Sequence, residues 1–101
     1  MTFKIEYIAT FRADVLNIEI HLEEHPQKAR RIFKELDEKL GVLAKNPKMY
    51  QVYEDFPIFR RIVVEDYLAF YTIDEKRGII EIHRLICGKM DVSEQLGAAF
   101  D

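Results

Sequence analysis

Cysteine is nearly absent from this chain. Cys87 stands alone, so no intramolecular disulfide can form, and a reducing compartment is the expectation. Long apolar runs are missing as well. Even Gly41–Ala44 and Ile62–Val64 soon meet charges, so no transmembrane helix can be drawn and no membrane partner is expected. The start, Met1-Thr2-Phe3-Lys4-Ile5-Glu6, places an acid where a secretory signal needs apolar residues, which makes a cytoplasmic location the expectation. Excess positive charge is lacking too: 15 basic residues face 18 acidic ones, for a net charge of -3. Phosphate neutralisation supplies most nucleic-acid affinity, so this balance argues against direct sequence-specific DNA binding by the chain alone. A local basic patch remains compatible with it. Repeats, low-complexity tracts and Gly/Ser-rich linkers are absent, and 101 residues hold a single domain, 1–101. What is present is a folding composition, 49% hydrophobic and 33% charged, with enough apolar surface for a modest core.

Periodicity supplies the organisation. Phe3 to Ile8 alternates apolar and polar residues, as a strand does. Phe11, Val15, Ile18 and Leu22 then step by helical intervals and share one face. Thr10 is the expected N-cap of that helix, with Asp14 near its positive end. Pro26 ends the turn Glu24-His25-Pro26 and suits the first position of a second helix. That helix carries Ala29, Phe33, Leu36, Leu40 and Leu43 along its stripe and stops at Asn46-Pro47. Lys48 to Pro57 reads as a loop anchored by Tyr50 and Tyr53.

From Ile58 the period changes to two. Ile58–Val64, Tyr67–Ile73 and Ile79–Ile86 are rich in β-branched and aromatic residues, with short polar turns between them. A short last helix beginning at Ser93, with Ser93 as its cap and Leu96 apolar, is optional. The order is β-α-α-β-β-β. A helical hairpin on a mostly antiparallel sheet is an α+β sandwich of two layers.

Chemistry is sparse. His21 and His25 lie four apart without a third ligand, and no metal site is expected. Phosphate-cradling Gly-rich loops and Gly-x-Ser-x-Gly turns are missing, so neither a cofactor nor a catalytic residue is assigned. One cluster stands out: Arg60, Arg61, Arg84 and Lys89 beside Tyr67 and Tyr71. Alternation puts Arg60 on a line with Ile58, Ile62 and Val64, and Arg84 with Ile80, Ile82 and Ile86. An arginine on a core-facing line snorkels outward, pairs with an acid, or lines a concave surface.

Three stretches carry a resemblance: Phe59-Arg60-Arg61-Ile62-Val63-Val64, Tyr67 through Asp74, and Ile80 through Ile86 ending in a short polar tail. With Asp14 and Ile18 on the first helix, the His25-Pro26 turn, Ala29, and Leu43 followed by Asn46-Pro47, this order resembles the ParE/RelE superfamily of bacterial toxins. The group includes plasmid-stabilisation proteins, and the likeness spans about residues 3 to 91. It implies the toxin of a type II toxin–antitoxin pair, neutralised by a cognate antitoxin. RelE-like members cleave messenger RNA on the ribosome without a metal; ParE-like members poison DNA gyrase by protein–protein contact.

The departures favour the ParE-like branch. RelE-like nucleases commonly place an arginine after the middle-strand tyrosine, where this chain has Leu68. They place another cation or histidine, then a tyrosine, where it has Met90 and Leu96. The tail Arg84-Leu85-Ile86-Cys87-Gly88-Lys89-Met90-Asp91 resembles the ParE pattern Arg-x-x-His-Gly-Arg-x-Asp, with Cys87 in the histidine slot. The resemblance therefore implies an antitoxin- or gyrase-binding set of Arg60, Arg61, Tyr67, Tyr71, Arg84, Lys89 and Asp91.

Overall fold

The computed structural model describes residues 2–98. Strand β1 (Lys4–Tyr7) leads into helices α1 (Ala9–His21) and α2 (Pro26–Leu43). Strands β2 (Arg60–Val64), β3 (Tyr67–Asp74) and β4 (Ile79–Cys87) follow, and helix α3 (Val92–Ala98) closes the described chain. The α+β class and the element order match the reading of the sequence. The sheet runs β1-β4-β3-β2, so the first strand lies beside the last, parallel to it, while the other pairs are antiparallel. No helix among the described residues is long and apolar enough to cross a membrane.

Pro26 does open α2, at the position where its missing N–H costs nothing. The buried stripe of α2 is Ile32, Leu36, Leu40 and Leu43, with Ala29 and Phe33 half-covered at its margin. Ile32 rather than Phe33 is fully enclosed, because the helix is rolled so that the four-residue ridge Ile32-Leu36-Leu40 faces the sheet. Phe11, Ile18 and Leu22 of the first hairpin arm are buried as their spacing implies. They join Ile62, Val64, Tyr67, Ala69, Tyr71, Ile80, Ile82 and Leu85 in the main core.

The second face of the sheet is covered in part. Phe59, Phe70, Ile86, Val92 and Leu96 form a separate apolar cluster there, with Tyr53, Phe56 and Leu68 against it. Leu68 and Phe70 alternate with Ala69 and Tyr71 along β3, which puts the two clusters on opposite sides.

Three local expectations are corrected. Thr10 is not a cap: Ile8 holds that position without a side-chain hydrogen bond, and the Thr10 hydroxyl donates to the His83 carbonyl at 2.7 Å. Ser93 is not the α3 cap either. Asp91 precedes the helix and its Oδ1 accepts the Glu94 N–H at 3.1 Å, while Ser93 lies inside the first turn and its hydroxyl donates to Asp55. The third correction concerns strand faces. β2 begins at Arg60, leaving Ile58 exposed, and β4 carries a bulge: Tyr71 pairs with Ile82 but Phe70 with Arg84, so His83 is the extra residue. The bulge resets the alternation. Ile82 and Leu85 point to the main core, while Arg84 and Ile86 fall on the other side.

Candidate functional site

β1 ends at Tyr7 while β4 continues to Cys87, so the outer edge of β4 loses its strand neighbour after Ile82. α1 takes over that edge with polar side chains. Thr10 serves the His83 carbonyl, and one turn later Asp14 Oδ2 accepts the Leu85 N–H at 2.9 Å. The same carboxylate binds Arg84 through two contacts, Nε at 2.7 Å and Nη2 at 3.2 Å. Arg84 Nη1 donates to the Gln95 carbonyl of α3 at 2.8 Å. Both charged side chains are nearly enclosed, at 13% and 14% exposure. Of the options open to Arg84, pairing with an acid is the one realised. The arginine ties α1, β4 and α3 together.

Asp14 is the residue that reading for chemistry passed over. Its signal was an acid three residues from Phe11 and four from Ile18, on the stripe that the helix buries. Burying a carboxylate there requires a cation opposite, and Arg84 supplies it.

Beside this pair runs a groove of about 420 Å³. Its walls include Asn17, Ile18 and His21 of α1, Tyr67 of β3, Leu85 to Cys87 of β4, and Met90. Tyr67 is buried, and burial raises its phenol above the ordinary tyrosine value, so the ring presents a neutral surface.

The remaining members of the expected cluster lie elsewhere. Arg60 Nη1 donates to the Tyr50 carbonyl at 2.7 Å, and the Tyr71 hydroxyl donates to the Pro47 carbonyl at 2.9 Å. Both side chains pin the segment after α2. Tyr71 is fully enclosed and its pKa is pushed up to about 12, mainly by burial. Arg61 projects to the other face, its guanidinium 5.9 Å from the centre of the Tyr53 ring. Among the described residues that guanidinium has neither a hydrogen bond nor an ion pair. Phe70 pairs with both Arg61 and Arg84, so these two arginines stand two strand spacings apart, about 10 Å, across one aromatic ring. Lys89 and Asp91 are exposed on the tail. The expected cluster thus divides into a loop clamp, a stacked arginine and a groove wall.

Leu68, Met90 and Leu96 show what occupies the slots of the nuclease pattern. Leu68 and Leu96 meet in the second apolar cluster, with Leu96 fully enclosed, and Met90 is exposed. α3 reaches this cluster through a polar tether that sequence reading also missed: Ser93 Oγ donates to Asp55 and lies 3.1 Å from the Tyr53 hydroxyl. Among the described residues no group of three His, Cys, Asp or Glu side chains is placed to hold a metal ion.

The model of the ParE toxin of type II toxin–antitoxin systems matches residues 5–92. The chain belongs to the ParE toxin family. Solved structures agree on the fold. A toxin–antitoxin complex, RelBE2 from Mycobacterium tuberculosis, has a chain 15% identical that superposes with a TM-score of 0.63, covering 86% of this chain and 99% of that one. The chromosomal ParDE system from P. aeruginosa contributes a chain 20% identical, with a TM-score of 0.68 and coverage of 85% and 96%. A search of curated proteins found no match. In this ParE-family toxin Arg84 is bonded inward rather than presented to solvent.

Proposed function

We propose that this ParE-family toxin acts on DNA gyrase by protein–protein contact, and that a cognate antitoxin neutralises it. One observation carries the choice between gyrase and the ribosome. Leu68 and Leu96, in slots where RelE-like nucleases place a cation and a tyrosine, are packed together in an apolar cluster. Metal-free RNA cleavage needs a group to activate the 2′-hydroxyl, a proton donor for the leaving oxygen, and cations for the phosphorane. Hydrocarbon supplies none of these. Arg60 and Arg84 are engaged with backbone carbonyls and Asp14, which leaves Arg61 and Lys89 as the cations of the predicted set available to a partner.

Losing one group that stabilises transition-state charge costs on the order of 10²–10³ in rate, so two apolar replacements leave little turnover. Induced in bacteria without antitoxin, the protein is expected to block DNA replication and raise a DNA-damage response. Purified protein should inhibit supercoiling by gyrase or trap its cleavage complexes, and should leave messenger RNA intact on programmed ribosomes. Cuts at codon positions on the ribosome would overturn the proposal. A folded protein that harms neither target would favour a family member that has kept only antitoxin binding.

A further inference from the structure

The β4 edge past Asp14 has backbone groups left over. In an antiparallel ladder, residues direct their N–H and C=O alternately toward the partner strand and away from it. The Leu85 N–H bonds Asp14 of α1, so Leu85 faces outward; Cys87, two residues on, does too. The opposite phase agrees, because the Gly88 N–H bonds the Asp66 carbonyl across the sheet. Asp14 occupies the Leu85 N–H, and the Met90 N–H occupies the Cys87 carbonyl. The Leu85 carbonyl and the Cys87 N–H remain, and among the described residues neither has a partner. Both belong to residues that line the 420 Å³ groove.

That leftover pair has a direction. One carbonyl and one N–H on either side of Ile86 match a single residue of a parallel strand, whose own N–H meets Leu85 and whose carbonyl meets Cys87. β1 already pairs with β4 in parallel lower down, for example through the Ile8 N–H and the Ile82 carbonyl at 3.0 Å. Around the pair, Ile18, Tyr67 and Met90 offer apolar surface, and the charges of Asp14 and Arg84 cancel. We infer that this groove is a strand-addition site, which takes an extended segment of the cognate antitoxin, parallel to β4, with an apolar side chain lodged beside Tyr67. A backbone occupant is required by the paired donor and acceptor, an apolar one by the walls. The inference rests on the toxin–antitoxin reading above.

Cys87 is the single cysteine of the chain and serves as a reporter in the groove. The test compares the free protein with its complex, co-expressed with the product of the small reading frame beside its gene. Thiol labelling by methyl methanethiosulfonate and amide exchange at Cys87 are both read. In the complex, labelling and exchange should each slow by about tenfold or more, the scale of one net hydrogen bond. Asn17→Trp, which fills the groove from an exposed α1 position, should weaken the complex by a similar factor, while Asn17→Ala leaves it unchanged. A complex whose Cys87 labels and exchanges as in the free chain would overturn strand addition and leave the antitoxin pairing standing. Protection that grows with concentration in the free chain would also overturn it, in favour of a second copy of the toxin. Failure of the two proteins to associate at all would remove the pairing and the docking site together.

Discussion

The two helices of the hairpin are built on different plans. α2 is sharply two-sided: one stripe is buried, and its flank is charged and occupied. Lys28 bonds Asp66 at 3.2 Å, Arg31 approaches Glu65 at 3.4 Å, and Glu35 accepts the Glu65 N–H at 2.8 Å. These contacts hold the β2–β3 turn, where Glu65 has a φ of 54°. α1 spends its polar side chains inward, Thr10 and Asp14 on the β4 edge, and leaves Leu16 and Ile20 exposed at 58% and 59%. α1 is thus apolar on more than one side, and part of that surface stays in solvent. α2 finishes the fold, whereas α1 both closes the fold and keeps a surface over.

The comparison breaks most severely at Asp14. Asp14→Ala leaves Arg84 enclosed without a counter-charge and should cost about 3–5 kcal/mol by denaturant titration. For the same reason Arg84→Glu sets two carboxylates side by side and is expected to unfold the protein rather than probe a surface. By contrast, Lys28→Ala on α2 removes a partly exposed pair and should cost no more than about 1 kcal/mol. Equal losses for the two variants would erase the distinction drawn between the helices. Next in size is Leu36→Ala, which empties the α2 stripe and should cost about 2–5 kcal/mol. An unchanged denaturant midpoint would show that α2 faces the sheet otherwise.

Acid should separate the two sides in sequence. Burial lowers the pKa of His83, beside Thr10's acceptor, against an opposing pull from Glu81. Its contribution is therefore complete above the unfolded value of 6.5 and is lost as the pH falls through the lower folded value. Asp66, on the α2 side, is held below 3.8: burial works to raise it, but bonds from Lys28 and its own backbone and the charges of Lys28 and Lys89 outweigh that. Its contribution is lost only at still lower pH. His83→Gln should remove the first decline of stability and keep the second; an unaltered pH profile would refute the assignment. The smallest effect is expected outside the core. Leu16→Ser with Ile20→Ser should change stability by less than about 1 kcal/mol, since each is an exposed surface change.

The fold was legible where periodicity reports it. The stripes of α1 and α2 and the three C-terminal strands all emerge from spacing, because burial on one face imposes a local period. The bulge at His83 was hidden, since Ile79–Ile86 contains no glycine or proline to mark it. That one extra residue decided the face of Arg84 and thus the site. The parallel pairing of β1 with β4 was equally silent: no local pattern says which distant strand a first strand will choose. Asp14 and Arg84 lie 70 residues apart, and their meeting depends on both of those hidden features. Arg60 and Tyr71 were recognised as unusual, but nothing nearby in sequence revealed that carbonyls of the segment after α2 would occupy them.

The strand order β1-β4-β3-β2 has a kinetic consequence. β4 lies between β1 and β3, so the last strand to leave the ribosome is the one that the first strand waits for, with Lys4 paired to Ile79. During synthesis the β1 and α1 segments emerge with no sheet to cover, and contacts this distant in sequence form slowly. The helical hairpin can assemble early, but the Arg84 tie and the groove at the β4 edge come into being together, once β4 has been made. A nascent chain that stops short of Cys87 therefore carries neither the tie nor the groove.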